Sequence, residues 1–244
     1  MKKMIMIAVV LLASVMTASA QMMKAADLEA YAKQRYGDKW VDAAASLAST
    51  LTLDKNNSLT YRQVFDAPGK TKSQLYVLMN YWVTATFQDK QSITLNDKET
   101  GTIIINATMD NIVTHTGGLS QYSVSITPVI KIDIKDEKIR VTYTVQSYDI
   151  LRDTSGGVLG AIFSENSGTF DDQNRKKKDT TDRSLYDEKW ELTTCYPFVA
   201  KDEHIAKRTS SKALVMTHAY SSAIFDKIEE AIKNGIVGDD GDDW

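Results

Sequence analysis

The chain is poor in cysteine, proline and histidine, and each shortage removes a class of protein. Cys195 is the single Cys among 244 residues, so no intramolecular disulfide is available and stability has to come from packing. With 3 Pro and 12 Gly the chain is neither collagen-like nor a proline-rich or glycine-rich repeat. His115, His204 and His218 are the only histidines, and no spacing among them pairs metal ligands on one helix face or activates a serine. Cys195 and His204 would serve a hydrolase only if the fold brought them together. Ser155-Gly-Gly-Val-Leu-Gly160 lacks the lysine of a phosphate loop. The run from Asp54 to Thr60 starts like a calcium loop but has Leu59 and Phe65 where the glycine and the bidentate glutamate belong. No cofactor and no metal are expected, and the chain reads as non-enzymatic. A basic surplus is missing too: 29 Lys and Arg face 32 Asp and Glu, a net charge of −3, so no nucleic-acid partner is expected.

What the sequence does contain begins with a leader. MKKMIMIAVVLLASVMTASA places Lys2 and Lys3 before an apolar run that closes on Ala18-Ser19-Ala20, the pattern of a secretory signal cleaved near Ala20. Export to the periplasm or the exterior follows as an expectation. The run is short of the roughly 20 residues of a spanning helix and no later segment matches one, so no transmembrane segment is expected. Residues 21–52 read as a helical extension. Leu28, Tyr31 and Tyr36 share a stripe before Gly37, and Trp40, Ala44, Leu47 and Leu51 share one after it. Residues 53–235 read as one α+β domain carrying a charged insert at 153–188, and 236–244 as an acidic tail whose Asp239, Asp240, Asp242 and Asp243 are solvated.

Within the domain the period alternates between helix and strand. Leu59, Tyr61, Gln63 and Phe65 share one side of a strand that ends at Pro68-Gly69. Thr71 and Gln74 then form a capping-box pattern, opening a helix on which Leu75, Leu78, Met79, Trp82 and Ala85 face the core, flanked by Tyr76, Val83 and Phe87, with Val77, Tyr81 and Thr84 outward. From Ser92 to Leu151 the period is two. Ile103, Ile105, Ala107 and Met109 form one apolar line, Tyr122, Val124, Ile126, Ile130, Ile132 and Ile134 a second, and Ile139, Val141, Tyr143 and Val145 a third. Pro128 falls in the middle of the second and implies an edge or a bulge. Such lines describe an antiparallel meander with one apolar and one polar face. A last helix from about Ser210 buries Ala213, Met216, Tyr220, Ile224, Ile228 and Ile232, and Gly235 ends it.

The order strand, helix, four strands, helix is joined by particular residues: Ser73, Leu75 and Tyr76, then Trp82 and Phe87, then Asp97, Lys98, Glu99 and Gly101 in a hairpin, and Pro197 ahead of the final helix. In these the chain resembles the family of exported proteins called domain of unknown function 4468, closely over residues 55–150 and loosely over 185–235. The helical extension and the charged insert depart from that family's pattern. The resemblance implies a fold like that of the TATA-box-binding protein, with helices on one face of an antiparallel sheet. It implies no chemistry.

Helices on one face leave the other open. That polar face collects Arg62, Ser125, Thr127, Lys131, Arg140, Thr142 and Thr144, with Ser123 and Gln146 beside them. Hydroxyls and cations in such an array suit a macromolecular partner or an envelope component, although an ordinary solvated face has the same composition. The sequence therefore predicts an exported binding module. The alternatives are a small-molecule carrier, with a cavity between the last helix and the sheet lined by Tyr143, Tyr220 and Trp82, and a hydrolase. Arg175-Lys-Lys-Lys178 is a basic cluster offset by neighbouring acids.

Overall fold

The computed structural model describes residues 22–87, 92–117, 120–153, 185–195 and 207–235. The leader, the acidic tail, His204, Pro197 and the cluster at 175–178 lie outside the described residues.

Two N-terminal helices, α1 (Ala25–Tyr36) and α2 (Trp40–Ala48), precede β1 (Leu59–Asp66) and α3 (Lys72–Thr86). There follow β2 (Ile93–Asp97), β3 (Thr102–Asn106), β4 (Met109–Gly117), β5 (Ser120–Ile126), β6 (Val129–Lys135), β7 (Lys138–Val145), β8 (Ser147–Asp153) and β9 (Leu185–Glu191). A helical turn α4 (Leu192–Cys195) and the 28-residue α5 (Lys207–Asn234) complete the fold. It is α+β and antiparallel throughout, as the alternation predicts.

The meander is finer than four strands. It builds a five-stranded sheet in the order β1-β7-β6-β3-β2 and a four-stranded sheet in the order β4-β5-β8-β9. The two are continuous: β3 runs into β4, β5 into β6 and β7 into β8, so three long strands bend along one crease. Its chemical cause is Pro128, which has no N–H for the ladder; its carbonyl instead accepts from Ala107 N at 2.9 Å. On the neighbouring strand the crease falls at Gln146, where the buried parity slips from Val145 to Tyr148. The register of β4 on β5 also shifts between Met109 and Val113, where Asn111 takes a positive φ of 56°.

The inner faces of both sheets form one core with α3 and α5. All six residues of the predicted α5 stripe are buried. From Thr209 to Phe225 the helix is buried on nearly every side, because α1 and α2 cover its far surface with Leu28, Ala32, Trp40 and Ala44. The extension therefore belongs to the core. Polar ties fix it as well: Glu29 to Lys212 at 2.8 Å, Arg35 to Asp226 at 2.7 Å, Tyr31 Oη donating to Asp226 at 2.7 Å, and Tyr36 Oη 3.3 Å from Ser222 Oγ.

Thr71 and Gln74 form the predicted capping box. On α3, Leu75, Leu78, Met79, Trp82, Val83 and Phe87 are buried, while Val77 and Tyr81 face outward. Ala85 departs from the expectation and is exposed. It lines an apolar groove of about 270 Å³ between α3 and the end of α5, with Leu78, Tyr81, Trp82 and Ala231. The charged insert read at 153–188 is also narrower than expected. Residues 185–188 belong to β9, paired with β8.

Candidate functional site: the outer face of the creased sheet

The seven residues predicted on the polar face all point away from the core, but the crease divides them. Arg62, Thr142 and Lys131 form one row across β1, β7 and β6. Val64, Arg140 and Asp133 form the next, and Thr60 and Thr144 the row on the other side. Ser125 on β5 and Thr127 just after it stand beyond the crease and do not join them. They line a separate hollow of about 480 Å³ with Thr108, Asp110, Asp149 and Asp187.

On the five-stranded half, Asp133 organises the cations. Lys131 Nζ lies 2.9 Å from its carboxylate, and Arg140 donates to it through Nε at 3.1 Å and a terminal nitrogen at 2.7 Å. Partial burial works to raise the Asp133 pKa, but these donors outweigh it and hold the carboxyl below its ordinary value. Thr102 Oγ1 donates to the same carboxylate at 3.3 Å. Arg62 differs. It is exposed and, among the described residues, its guanidinium makes no hydrogen bond or ion pair. Beside it Val64 is 55% exposed, and at the opposite edge Leu95 is 43% exposed.

The four-stranded half has the opposite sign. Asp149, Asp187 and Glu191 are exposed on its outer face with Lys189. Ser125 Oγ accepts from the Asn111 backbone N–H at 3.1 Å, Ser123 donates to the Asn111 side chain, and Thr127 Oγ1 lies 3.4 Å from Asp149. Leu151, 43% exposed, stands between Ser123 and Asp187. Sequence reasoning missed this acidic half. Asp187 fell inside the supposed insert, and the parity slip after Val145 disguised Asp149 and Leu151 as positions of either face.

Other sequence candidates resolve into structure. Asp54 accepts from Asn56 N at 2.8 Å, Ser58 N at 3.1 Å and Thr60 Oγ1 at 2.8 Å, so its carboxylate closes its own turn. Cys195 is buried. His218 is wedged between Tyr36 and Tyr61, with ring centroids 5.4 and 5.2 Å away. Tyr143 and Tyr220, expected to line a carrier cavity, are fully buried and meet edge to face at 6.3 Å. Trp82 alone of that trio reaches a hollow, the groove between α3 and α5. Among the described residues no cluster of three or more His, Cys, Asp or Glu is placed to hold a metal, and no helix is long and apolar enough to cross a membrane.

This geometry is that of an antiparallel α+β domain whose outer sheet face carries no helix among the described residues. Residues 61–149 match the family model described as domain of unknown function (DUF4468) with TBP-like fold. The match spans β1 to β8 and contains every residue of the predicted face; α1, α2, β9 and α5 lie outside it. A TBP-like protein from Parabacteroides distasonis ATCC 8503 is 15% identical, with a TM-score of 0.46, covering 74% of this chain and 96% of its own. A DUF4468 family protein from Bacteroides ovatus ATCC 8483 is 14% identical at the same TM-score of 0.46, covering 82% and 94%. No curated protein matches the chain.

Proposed function

We propose that the protein is an exported, non-enzymatic binding domain of the cell envelope, and that it engages a macromolecular partner through the outer face of the five-stranded sheet. One observation carries the reading: Arg62 is an exposed cation with no partner among the described residues, beside Thr142, Val64 and the Asp133 cluster. An unpaired guanidinium next to hydroxyls and an exposed aliphatic side chain supplies charge, hydrogen bonding and apolar contact within one small area. The leader at residues 1–20 supports export. Replacing Arg62, Arg140 and Thr142 together, then comparing the proteins captured from envelope extracts of the native host, tests it. Loss of a specific partner is expected; an unchanged set of partners refutes the assignment.

A second reading, carriage of a small apolar molecule, is favoured by the groove that Leu78, Trp82 and Ala231 line between α3 and α5. Native mass spectrometry of protein purified from its host tests that reading. A bare mass would remove it.

A further inference from the structure

The groove between α3 and α5 opens where α5 ends. Tyr81, Trp82 and Ala85 form its α3 wall, Ala231 belongs to the facing wall on α5, and Gly235 stands at the rim. The walls are partly bare: Tyr81 is 50% exposed, Ala85 is exposed and Ala231 is half-buried. At about 270 Å³ the hollow falls short of the roughly 300–1,000 Å³ of an ordinary small-molecule pocket. It has room for a pair of aliphatic side chains.

We propose that the chain fills this groove itself, with Ile236 and Val237, the two residues that follow Gly235. Both lie outside the described residues, and the geometry of the helix end carries the assignment. Gly235 has a φ of +71°, the left-handed conformation that stops a helix and turns the chain back across its last turn. In that motif the residue after the glycine commonly packs on the side chain four positions before the glycine. For Ile236 that side chain is Ala231, in the wall of the groove. Extended chain advances about 3.5 Å per residue, so Val237 stays within about 7 Å of the rim and cannot leave the mouth. Composition agrees. Ile236 and Val237 are the only aliphatic residues between Gly235 and Trp244, and they precede Gly238-Asp-Asp-Gly-Asp-Asp243, a run whose charge favours water.

Other stretches outside the described residues fit the groove less well. Residues 88–91, Gln-Asp-Lys-Gln, begin close to Ala85 but bring no apolar side chain. The N-terminal residues lead into α1, which runs beside α5 in the same direction, since Glu29 meets Lys212 and Arg35 meets Asp226. They enter near the start of α5, and at about 1.5 Å per residue Lys212 is roughly 35 Å from Gly235. Residues 196–206 lead into that same start. Residues 154–184 join β8 to β9 on the four-stranded half, whereas α3 packs on β6 of the five-stranded half. The C-terminal pair is the occupant that position and chemistry select. It acts as a short strap across the seam of α3 and α5, and an apolar molecule carried in the same groove would have to displace it. The strap is independent of any role of the outer sheet face.

Methyl NMR of the purified protein, labelled at Ile, Val and Ala, tests the strap. Nuclear Overhauser contacts are expected from the Ile236 methyls to Ala231 and from the Val237 methyls to the rings of Tyr81 and Trp82, with Val237 shifted from its random-coil positions by those rings. Ile236→Ser with Val237→Ser in one chain uncovers the groove. Binding of the apolar dye ANS should then rise severalfold while far-ultraviolet circular dichroism stays that of the wild type. Asp239→Ser with Asp240→Ser, beyond the strap, should leave dye binding unchanged. Val237 methyls at random-coil positions with no ring contacts overturn the proposal, as does equal dye binding by the wild type and the folded Ile236, Val237 variant. A copurified apolar molecule in native mass spectra, with Val237 free of the rings, refutes the strap and leaves the carriage reading standing. A bare mass with the ring contacts present supports the strap and removes carriage.

Discussion

Asp136 Oδ1 accepts a 2.7 Å hydrogen bond from the backbone N–H of Lys72, so the β6–β7 turn caps the first turn of α3. Thr71 caps the same helix from within its own sequence. The turn is clasped in return: Ala67 N donates to Glu137 O at 2.7 Å, Glu137 N to Lys70 O at 2.9 Å, and Gly69 N to the Glu137 carboxylate at 2.9 Å. Two chain segments far apart in sequence are held together by backbone groups that would otherwise be orphaned. Replacing Asp136 with Ala should cost about 1 kcal/mol, as loss of a cap and of a carboxylate at a helix N-terminus usually does. Asn should retain most of it. Urea unfolding midpoints of the three proteins check this.

Gly101 is the second prediction. It closes the β2–β3 hairpin with φ of +73°, and a Cβ there would meet the Ile134 carbonyl oxygen at 2.7 Å and Lys72 Cε at 2.5 Å. Lys72 is itself held by donating to the Glu99 carbonyl at 2.6 Å, and Ile134 N donates to Gly101 O at 2.8 Å. Strain at positive φ and overlap with backbone therefore add, and Gly101→Ala should cost at least ~2 kcal/mol. A thermal midpoint unchanged within a degree would contradict this.

Acid should loosen the seat of the N-terminal helices. Burial first, and then the nearby charge of Arg35, lower the pKa of His218 below its ordinary 6.5. The groups facing it are Tyr36 and Arg35 of α1 and Tyr61 of β1. Below pH 6.5 the unfolded chain takes up a proton that the native protein resists, so stability falls as pH drops through that value and levels off below the native pKa. Unfolding midpoints between pH 7.5 and 5 should decline, and His218→Gln should flatten the decline. An identical slope in the variant would assign the effect to other groups.

Trp40 tests whether the extension is structural. It is 8% exposed and lies under the Lys212 ammonium, 5.4 Å from its ring centroid. Trp40→Ala removes a large buried ring at the junction of α2 with α5 and should cost ~3 kcal/mol. Independent folding of the rest would leave the cooperative transition of the sheet in place while only the helices loosened. Amide exchange in β1 and β7 of the variant distinguishes the two outcomes.

Much of this was legible in the sequence because the signals were local. The capping box, the α3 arc, the α5 stripe and the alternation of Ile130 to Ile134 depend on neighbours within a turn or a pleat. What was not legible depends on distance. Pro128 announced an irregularity, but that Ala107 and Gln146 break at the same level, turning one meander into two sheets, is a property of the assembled ladder. The predicted face kept its orientation and lost its unity for that reason. Tyr143 and Tyr220 were expected at a cavity because their strand and helix parities converge; the convergence is real, and the rings fill the space themselves. Asp136 as a cap for α3 had no local signal, since the bond spans 64 positions of chain.

The placement of α5 has a consequence for how the protein is made. β3 to β8 pair with close neighbours in the chain, so most of the ladder closes through short loops and forms early and quickly. α3 covers part of the inner face, but the rest of it and the apolar sides of α1 and α2 wait for α5, which follows every strand in the chain. Until Lys207–Asn234 arrives, the growing chain is a sheet with an oily side, sticky and incomplete. Its commitment to a single native state waits for α5, which follows all nine strands in chain order.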